Sequence, residues 1–370
     1  MTSKERLMTA IHMSTPDRLP VTIHQWQEYH LKYYLHGIDA LAAFEMFNLD
    51  AEVQYFDTES TLTVKKLECQ NNTKQWVDEI NILNNSSQMR IVKHTVRTPK
   101  GELCYKTESN EKTTWMVENP IKNFEDVEML KYMPVPRINK KEISKNYDLI
   151  GDDGIYRGYI WGDQAGCWQQ ACVYYGTEKM IYVAMDNPDW VHYFLSILLE
   201  KKLQYIHESF DGIKFDIVET GGGDASSTVI SPKLFEEFCL PYDRILHDAL
   251  HSLNHLVSYH TCGGMKGILK LIIKTDTDVS ETLSPKSMGG NIEGPEVYKE
   301  MHGKVALRGG LDQVHLLELG NPKDIEKEVY RLFDVFGKGG GYICSACDHF
   351  FEAPLENIKA FSRAAHKCVY

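Results

Sequence analysis

From about residue 150 to its end the chain alternates short apolar segments with helix-length ones, and this alternation restricts the fold more than any other feature. Strand candidates are Tyr156–Trp161, Ile213–Glu219, Leu256–Tyr259, Val279–Glu281, Val305–Gly309 and Gly341–Ile343. Helical patterns between them include Pro188–Phe210, Pro232–Ser252, Met265–Thr275, Pro295–Met301 and Pro322–Phe336. Parallel strands need a crossover long enough to hold a helix, so repeated strand–helix alternation implies a parallel sheet. Sustained over this length, the pattern predicts a closed (β/α)8 TIM barrel in the α/β class.

The N-terminal part differs. Residues 2–14 read as an amphipathic helix, broken by Pro16-Asp17-Arg18-Leu19-Pro20 before a short strand at Val21–His24. Residues 28–49 have a helical pattern. Residues 52–118 are rich in Thr, Val, Ile, Trp and Tyr. Candidate strands there are Thr61–Lys66, Gln75–Ile80, Met89–Arg97, Leu103–Thr107 and Thr113–Val117, separated by Asn, Ser, Pro and Gly turns. This predicts one barrel domain over 1–370 carrying an antiparallel β insert at about 52–118.

Composition excludes several classes of function. The net charge is −12, and no basic stripe offers a phosphate-binding surface, which argues against nucleic acid. No apolar run reaches the ~18 residues of a membrane span. Nine cysteines, an odd number, behind an N-terminus without an apolar signal core favour reduced thiols and a cytoplasmic setting. The glycine runs 221–223 and 339–341 match neither the dinucleotide nor the P-loop pattern.

In a barrel of this kind chemistry collects at the C-terminal strand ends. There the sequence places Glu219, His260 with Cys262, Glu281, Asp312 and the segment Cys344–Asp348. His260-Thr261-Cys262 is the sharpest signal. Side chains at i and i+2 on extended backbone face the same way, so an imidazole and a thiolate reach one ion. Nitrogen and sulfur donors suit zinc, and a catalytic site keeps one position open. The third ligand is expected from the last strand: Cys347, further past the strand end, or alternatively Cys344. Cys344-Ser345-Ala346-Cys347 also has the spacing of a redox pair or of half a structural zinc site.

Longer motifs carry a family likeness. Pro16-Asp17-Arg18-Leu19-Pro20-Val21, Ser231-Pro232 at a helix head, Pro241-Tyr242, Val305-Ala306-Leu307-Arg308-Gly309-Gly310-Leu311-Asp312, Gly339–Ile343 and Pro354–Ile358 occur in the order and spacing of one family. The chain resembles the uroporphyrinogen decarboxylase superfamily, and within it the zinc-dependent corrinoid methyltransferases. The decarboxylases carry arginines after the first strand; here that place reads His24-Gln25-Trp26-Gln27-Glu28-Tyr29. The methyltransferase branch carries an H-x-C pair and a later cysteine, matching His260, Cys262 and a cysteine within 344–347. The resemblance implies a bound zinc ion, a corrinoid (cobalamin) brought by a partner corrinoid protein, and a small methyl donor or thiol acceptor. A homodimer is one admissible assembly.

Other residues complete the expected site. Glu219 and Glu281 are candidates for a fourth zinc ligand or for catalytic proton handling, against the plainer reading of solvated rim carboxylates. Trp26, Trp161 and Trp168 offer an aromatic wall for a flat substrate, although most aromatic residues here pack the barrel. Asp224 can bind substrate or cap a helix, Asp312 can fix its loop, and His349 can support the metal from behind.

Overall fold

The computed structural model describes residues 1–55, 72–86, 88–162 and 166–370. The barrel strands are β1 (Val21–Thr22), β2 (Ala51–Gln54), β7 (Gly154–Tyr159), β8 (Ile217–Gly221), β9 (Leu256–His260), β10 (Val279–Thr282), β11 (Ala306–Leu311) and β12 (Tyr342–Ala346). Together they form one eight-stranded parallel sheet in the order β1-β12-β11-β10-β9-β8-β7-β2, with helices between successive strands. This is a TIM barrel. No ladder joins β1 to β2. Asp50, just ahead of β2, closes that seam: its N–H donates to the Val21 carbonyl at 2.7 Å and its carboxylate accepts from Val21 N–H at 2.9 Å. Arg6 (2.6 Å) and Arg18 (2.8 Å) hold the same carboxylate, which is buried.

A second sheet lies between β2 and β7. β3 (Val77–Asn85), β4 (Arg90–Thr98), β5 (Gly101–Ser109) and β6 (Thr114–Glu118) pair antiparallel in sequence order, a meander. The expected strand Thr61–Lys66 lies outside the described residues. Ala51–Gln54, taken from sequence as lying largely inside the insert, pairs with β7 and belongs to the barrel.

Alternation along each strand sorts the barrel interior into layers. The lowest layer is apolar. Ile155, Ile217, Val279, Ala306 and Ile343 pack there against Leu7, Ala10 and Ile11 of α1 (Ser3–Ile11). This helix plugs the barrel floor, started by a capping box in which Thr2 and Glu5 satisfy each other's backbone N–H. Two residues further along the same strands, the interior turns polar. Among the described residues no helix is long and apolar enough to cross a membrane.

Candidate functional site

The polar layer is a cluster of opposite charges. Register places Glu281 beside His260 on β9 and Arg308 on β11. Its carboxylate accepts from Ser258 Oγ at 2.6 Å and from His260 Nδ1 at 2.9 Å, and pairs with Arg308 and, at 3.3 Å, with Arg157. Arg157 also pairs with Glu52 at 3.1 Å and with Glu219; Arg308 shares Glu52. All of these side chains are buried, Arg157 at 0% exposure and Glu281 at 1%. Charges this deep persist only when paired.

The pairing sets protonation states. Burial opposes ionisation of Glu281, but Arg157 and Arg308 outweigh it and hold the carboxyl well below its usual range. Burial also opposes the His260 imidazolium, yet the adjoining Cys262 and Glu281 push it up to about 10. His24, above the cluster, is pressed down by burial and by Arg157, and stays neutral.

Backbone features fix the upper rim. Gly221 has a φ of +98°, and a Cβ there would stand 2.3 Å from the His260 carbonyl oxygen, so β8 runs beside His260 only with glycine at this point. Past β9, Thr282 Oγ1 donates to the Thr261 carbonyl at 2.8 Å and Gly263 N–H to Ser284 Oγ at 3.0 Å. These bonds hold the loop that carries Cys262.

Among the described residues, three overlapping groups of side chains could hold a metal ion, each with one donor atom per residue and all donor atoms within 4.8 Å of one another: His24–Glu219–His260–Glu281, His260–Cys262–Asp348 and His24–Asp348–His349. The structure thus brings together His260, Cys262, Glu219 and Glu281 of the residues expected from sequence. It does not bring Cys347 into any of these groups; that buried thiol faces the Leu283 carbonyl at 3.9 Å. Cys344 lies within β12 and packs in the core with Tyr342. Glu219 and Glu281 are not solvated rim carboxylates.

The aromatic candidates lie elsewhere. Trp26 is buried among His30, Phe44, Phe47 and Phe350. Trp168 is buried against Phe238, its indole N–H donating to the Asp224 carbonyl at 3.1 Å. Trp161, half-buried, packs against Tyr205 and the Lys202 ammonium. The Asp224 carboxylate accepts from Thr177 Oγ1 at 3.0 Å. A cavity of about 230 Å³ lies off the barrel axis, between Leu283, Lys286, Val297, Arg331 and Phe336.

Sequence reasoning missed Glu52, Arg157 and Arg308, and gave Asp348 and His24 no ligand role. The available signal was parity: Arg157 is two residues past Ile155, Glu281 two past Val279 and Arg308 two past Ala306. The pocket is also less poor in arginine than the His24–Tyr29 stretch implied, since β7 and β11 supply two.

With the geometry in place, comparison with known proteins is decisive at the level of family. The sequence profile of the uroporphyrinogen decarboxylase (URO-D) family matches residues 95–368. The chain belongs to the uroporphyrinogen decarboxylase family. Among its curated relatives, a uroporphyrinogen decarboxylase of Pseudoalteromonas atlantica is 26% identical over 51% of this chain and 51% of its own length. A methylcobamide:CoM methyltransferase, MtbA, of Methanosarcina mazei is 25% identical over 40% of each chain. The chain spans about half the length of the curated relatives it matches, or less. A solved methyltransferase from Methanosarcina mazei has the same fold over 99% of both chains, with a TM-score of 0.67 at 16% identity. That likeness of fold includes the N-terminal residues the family profile leaves out.

Proposed function

We propose that this member of the URO-D family is a methyltransferase that moves a methyl group between a small methyl donor and the cobalt of a corrinoid carried by a partner protein. The observation that carries the reading is the His260–Cys262–Asp348 group above a locked histidine. Imidazole nitrogen, thiolate sulfur and carboxylate oxygen form a donor set that fits zinc. Because Nδ1 of His260 donates to Glu281, its Nε2 is the nitrogen left for a metal, the arrangement in which a carboxylate orients a ligating histidine. His260 and Cys262 would hold the ion with a third ligand from the loop after β12, Asp348 as placed here or its neighbour Cys347. A bound zinc ion supplies a Lewis acid that stabilises negative charge on the heteroatom losing or gaining the methyl group.

The chain's own groups do the rest. Glu281, clamped by Ser258, Arg157 and Arg308, keeps the His260 ring from turning. Glu219, nearest the loops and 3.6 Å from His260 Nδ1, is placed to take up or return the proton of an alcohol, phenol or thiol. Methyl transfer from a donor such as an aryl methyl ether to cobalt is the first direction. The reverse, from methylated corrinoid to a thiol, is favoured by the name of the MtbA relative and by that of a second relative from the same organism, a methylated-thiol–coenzyme M methyltransferase. Decarboxylation of a porphyrinogen is disfavoured, since Arg157 and Arg308 are already committed to Glu52, Glu219 and Glu281.

The test is spectroscopic. Purified chain, zinc, a reduced corrinoid protein and a panel of methyl ethers should convert cob(I)alamin to methylcob(III)alamin, or the reverse with a thiol. Cys262→Ala should lose zinc and both conversions. Comparing Cys347→Ser with Asp348→Asn by metal analysis identifies the third ligand. Porphyrinogen decarboxylation, or full zinc retention by Cys262→Ala, would overturn the proposal.

A further inference from the structure

The third donor group, His24–Asp348–His349, contributes only Asp348 to the mechanism above. Its residues come from opposite ends of the chain. His24 follows β1 and Asp348-His349 follow β12, and the pairing of Val21 with Cys344 brings these segments together. The His24 ring lies between two others, 5.2 Å from that of His260 and 5.0 Å from that of His349. It is 4% exposed, its Nδ1 is 3.8 Å from Glu281, beyond hydrogen-bond reach, and among the described residues no hydrogen bond holds either ring nitrogen. A neutral imidazole without such a bond has a ring-nitrogen lone pair to offer a metal ion.

His349 adds a second sign. Its Nε2 is 3.0 Å from Gln25 Oε1 and its Nδ1 faces Asp348. That nitrogen is 3.4 Å from Asp348 Oδ1, which also accepts from the His349 backbone N–H at 2.7 Å. His349, this carboxylate and His24 each offer a donor atom within 4.8 Å of the other two. Two imidazoles and a carboxylate suit first-row divalent ions.

We infer that the barrel mouth binds two divalent cations, the first at His260–Cys262–Asp348 and the second at His24–Asp348–His349, with the Asp348 carboxylate bridging them. Shared carboxylates are what bring paired ions to the ~3.5–4 Å of two-metal sites. The inference rests on the proposed function only for the first position. The second ion adds positive charge beside the first and offers a separate anchoring point for an oxygen of the methyl donor or its product.

Cobalt(II) separates the two positions in the full-length, metal-stripped protein. A site containing Cys262 produces thiolate-to-cobalt charge-transfer absorption, while a site of imidazole and carboxylate produces only weak d–d bands. Titration should saturate at about two equivalents per chain, with zinc confirming the stoichiometry by elemental analysis. His24→Gln and His349→Gln should each drop to one equivalent and keep the charge-transfer band. Cys262→Ala should keep one equivalent and lose the band. Circular dichroism checks each variant, and His349→Gln, at a partly exposed position, carries the test if His24→Gln misfolds. A single equivalent in the parent, with the band unchanged in both histidine variants, would overturn the second site and leave the first standing. A single equivalent lost on replacing either Cys262 or His349 would show one mixed site and would also overturn it. Absence of any charge-transfer band in the parent would instead sink the first position.

Discussion

Replacing Glu281 by glutamine perturbs the barrel centre at its most connected point. Three carboxylates (Glu52, Glu219 and Glu281) face two guanidinium groups (Arg157 and Arg308) and the protonated His260, so the cluster is close to neutral as built. Glutamine keeps the shape but removes one negative charge. One Glu281 oxygen faces His260 and Arg157 and the other faces Ser258 and Arg308, so the new amide NH2 meets a guanidinium in either orientation. Breaking a buried ion pair by removing one partner costs about 3–5 kcal/mol. A chain of 370 residues with the usual unfolding entropy of ~2.1 cal/mol/K per residue converts this to a fall in Tm of about 4–6 °C. Calorimetry on metal-free protein measures it without contribution from a bound ion. Adding Arg308→Met, which removes the orphaned charge, should recover part of the loss instead of adding to it. A Tm for Glu281→Gln within about 1 °C of the parent, or strict additivity in the double variant, would show that the cluster is not coupled in this way.

Three further outcomes follow from particular residues. Asp50→Ala removes the seam between β1 and β2 and leaves Arg6 and Arg18 facing each other; it should cost about 3–5 kcal/mol and speed hydrogen exchange of the Val21 amide before that of β8 or β9. Asp243 is buried, which raises its carboxyl to about 7 against the opposing pull of the Tyr259 hydroxyl and Lys202. The folded state therefore keeps a proton that the unfolded chain releases near 3.8, and the stability this contributes is full below that pH and is lost as pH rises to about 7. Asp243→Asn should gain on the parent across this window in urea titrations, and a constant difference would contradict the assignment. Gly221→Ala drives a methyl group into the His260 carbonyl, so it should weaken zinc binding at least tenfold in chelator competition even where circular dichroism stays normal.

Sequence reading reached the barrel because strand and helix periods differ and helix-length segments recur between the strand candidates from residue 150 onward. Ala51–Gln54 escaped because its membership depends on pairing with β7, over 100 residues away. The site was legible where chemistry is local: His260 and Cys262 share a strand end. It was not legible where chemistry is assembled. Arg157 and Arg308 look like surface charges until their parity is set against the apolar layer beneath them, and Asp348 becomes a candidate ligand only when barrel closure carries it to His260. Trp26 and Trp168 went the other way, since a large ring near a loop gives no indication of whether it faces a cavity or the core.

The pairing of β1 with β12 has a kinetic consequence. Val21 and Cys344 are separated by nearly the whole chain, so the last lateral contact of the barrel is also the one with the greatest loop-closure cost. His24 and Asp348 meet only when that contact forms. Metal-binding competence should then emerge at the end of folding, after the helices and central strands have assembled. An ion that binds across this junction stabilises a contact absent from the folding transition state, so it should leave the folding rate nearly unchanged and slow unfolding. On a ribosome the same geometry means that the proposed metal site could not assemble until the final strand has emerged, and a truncated product would be a barrel with an open side.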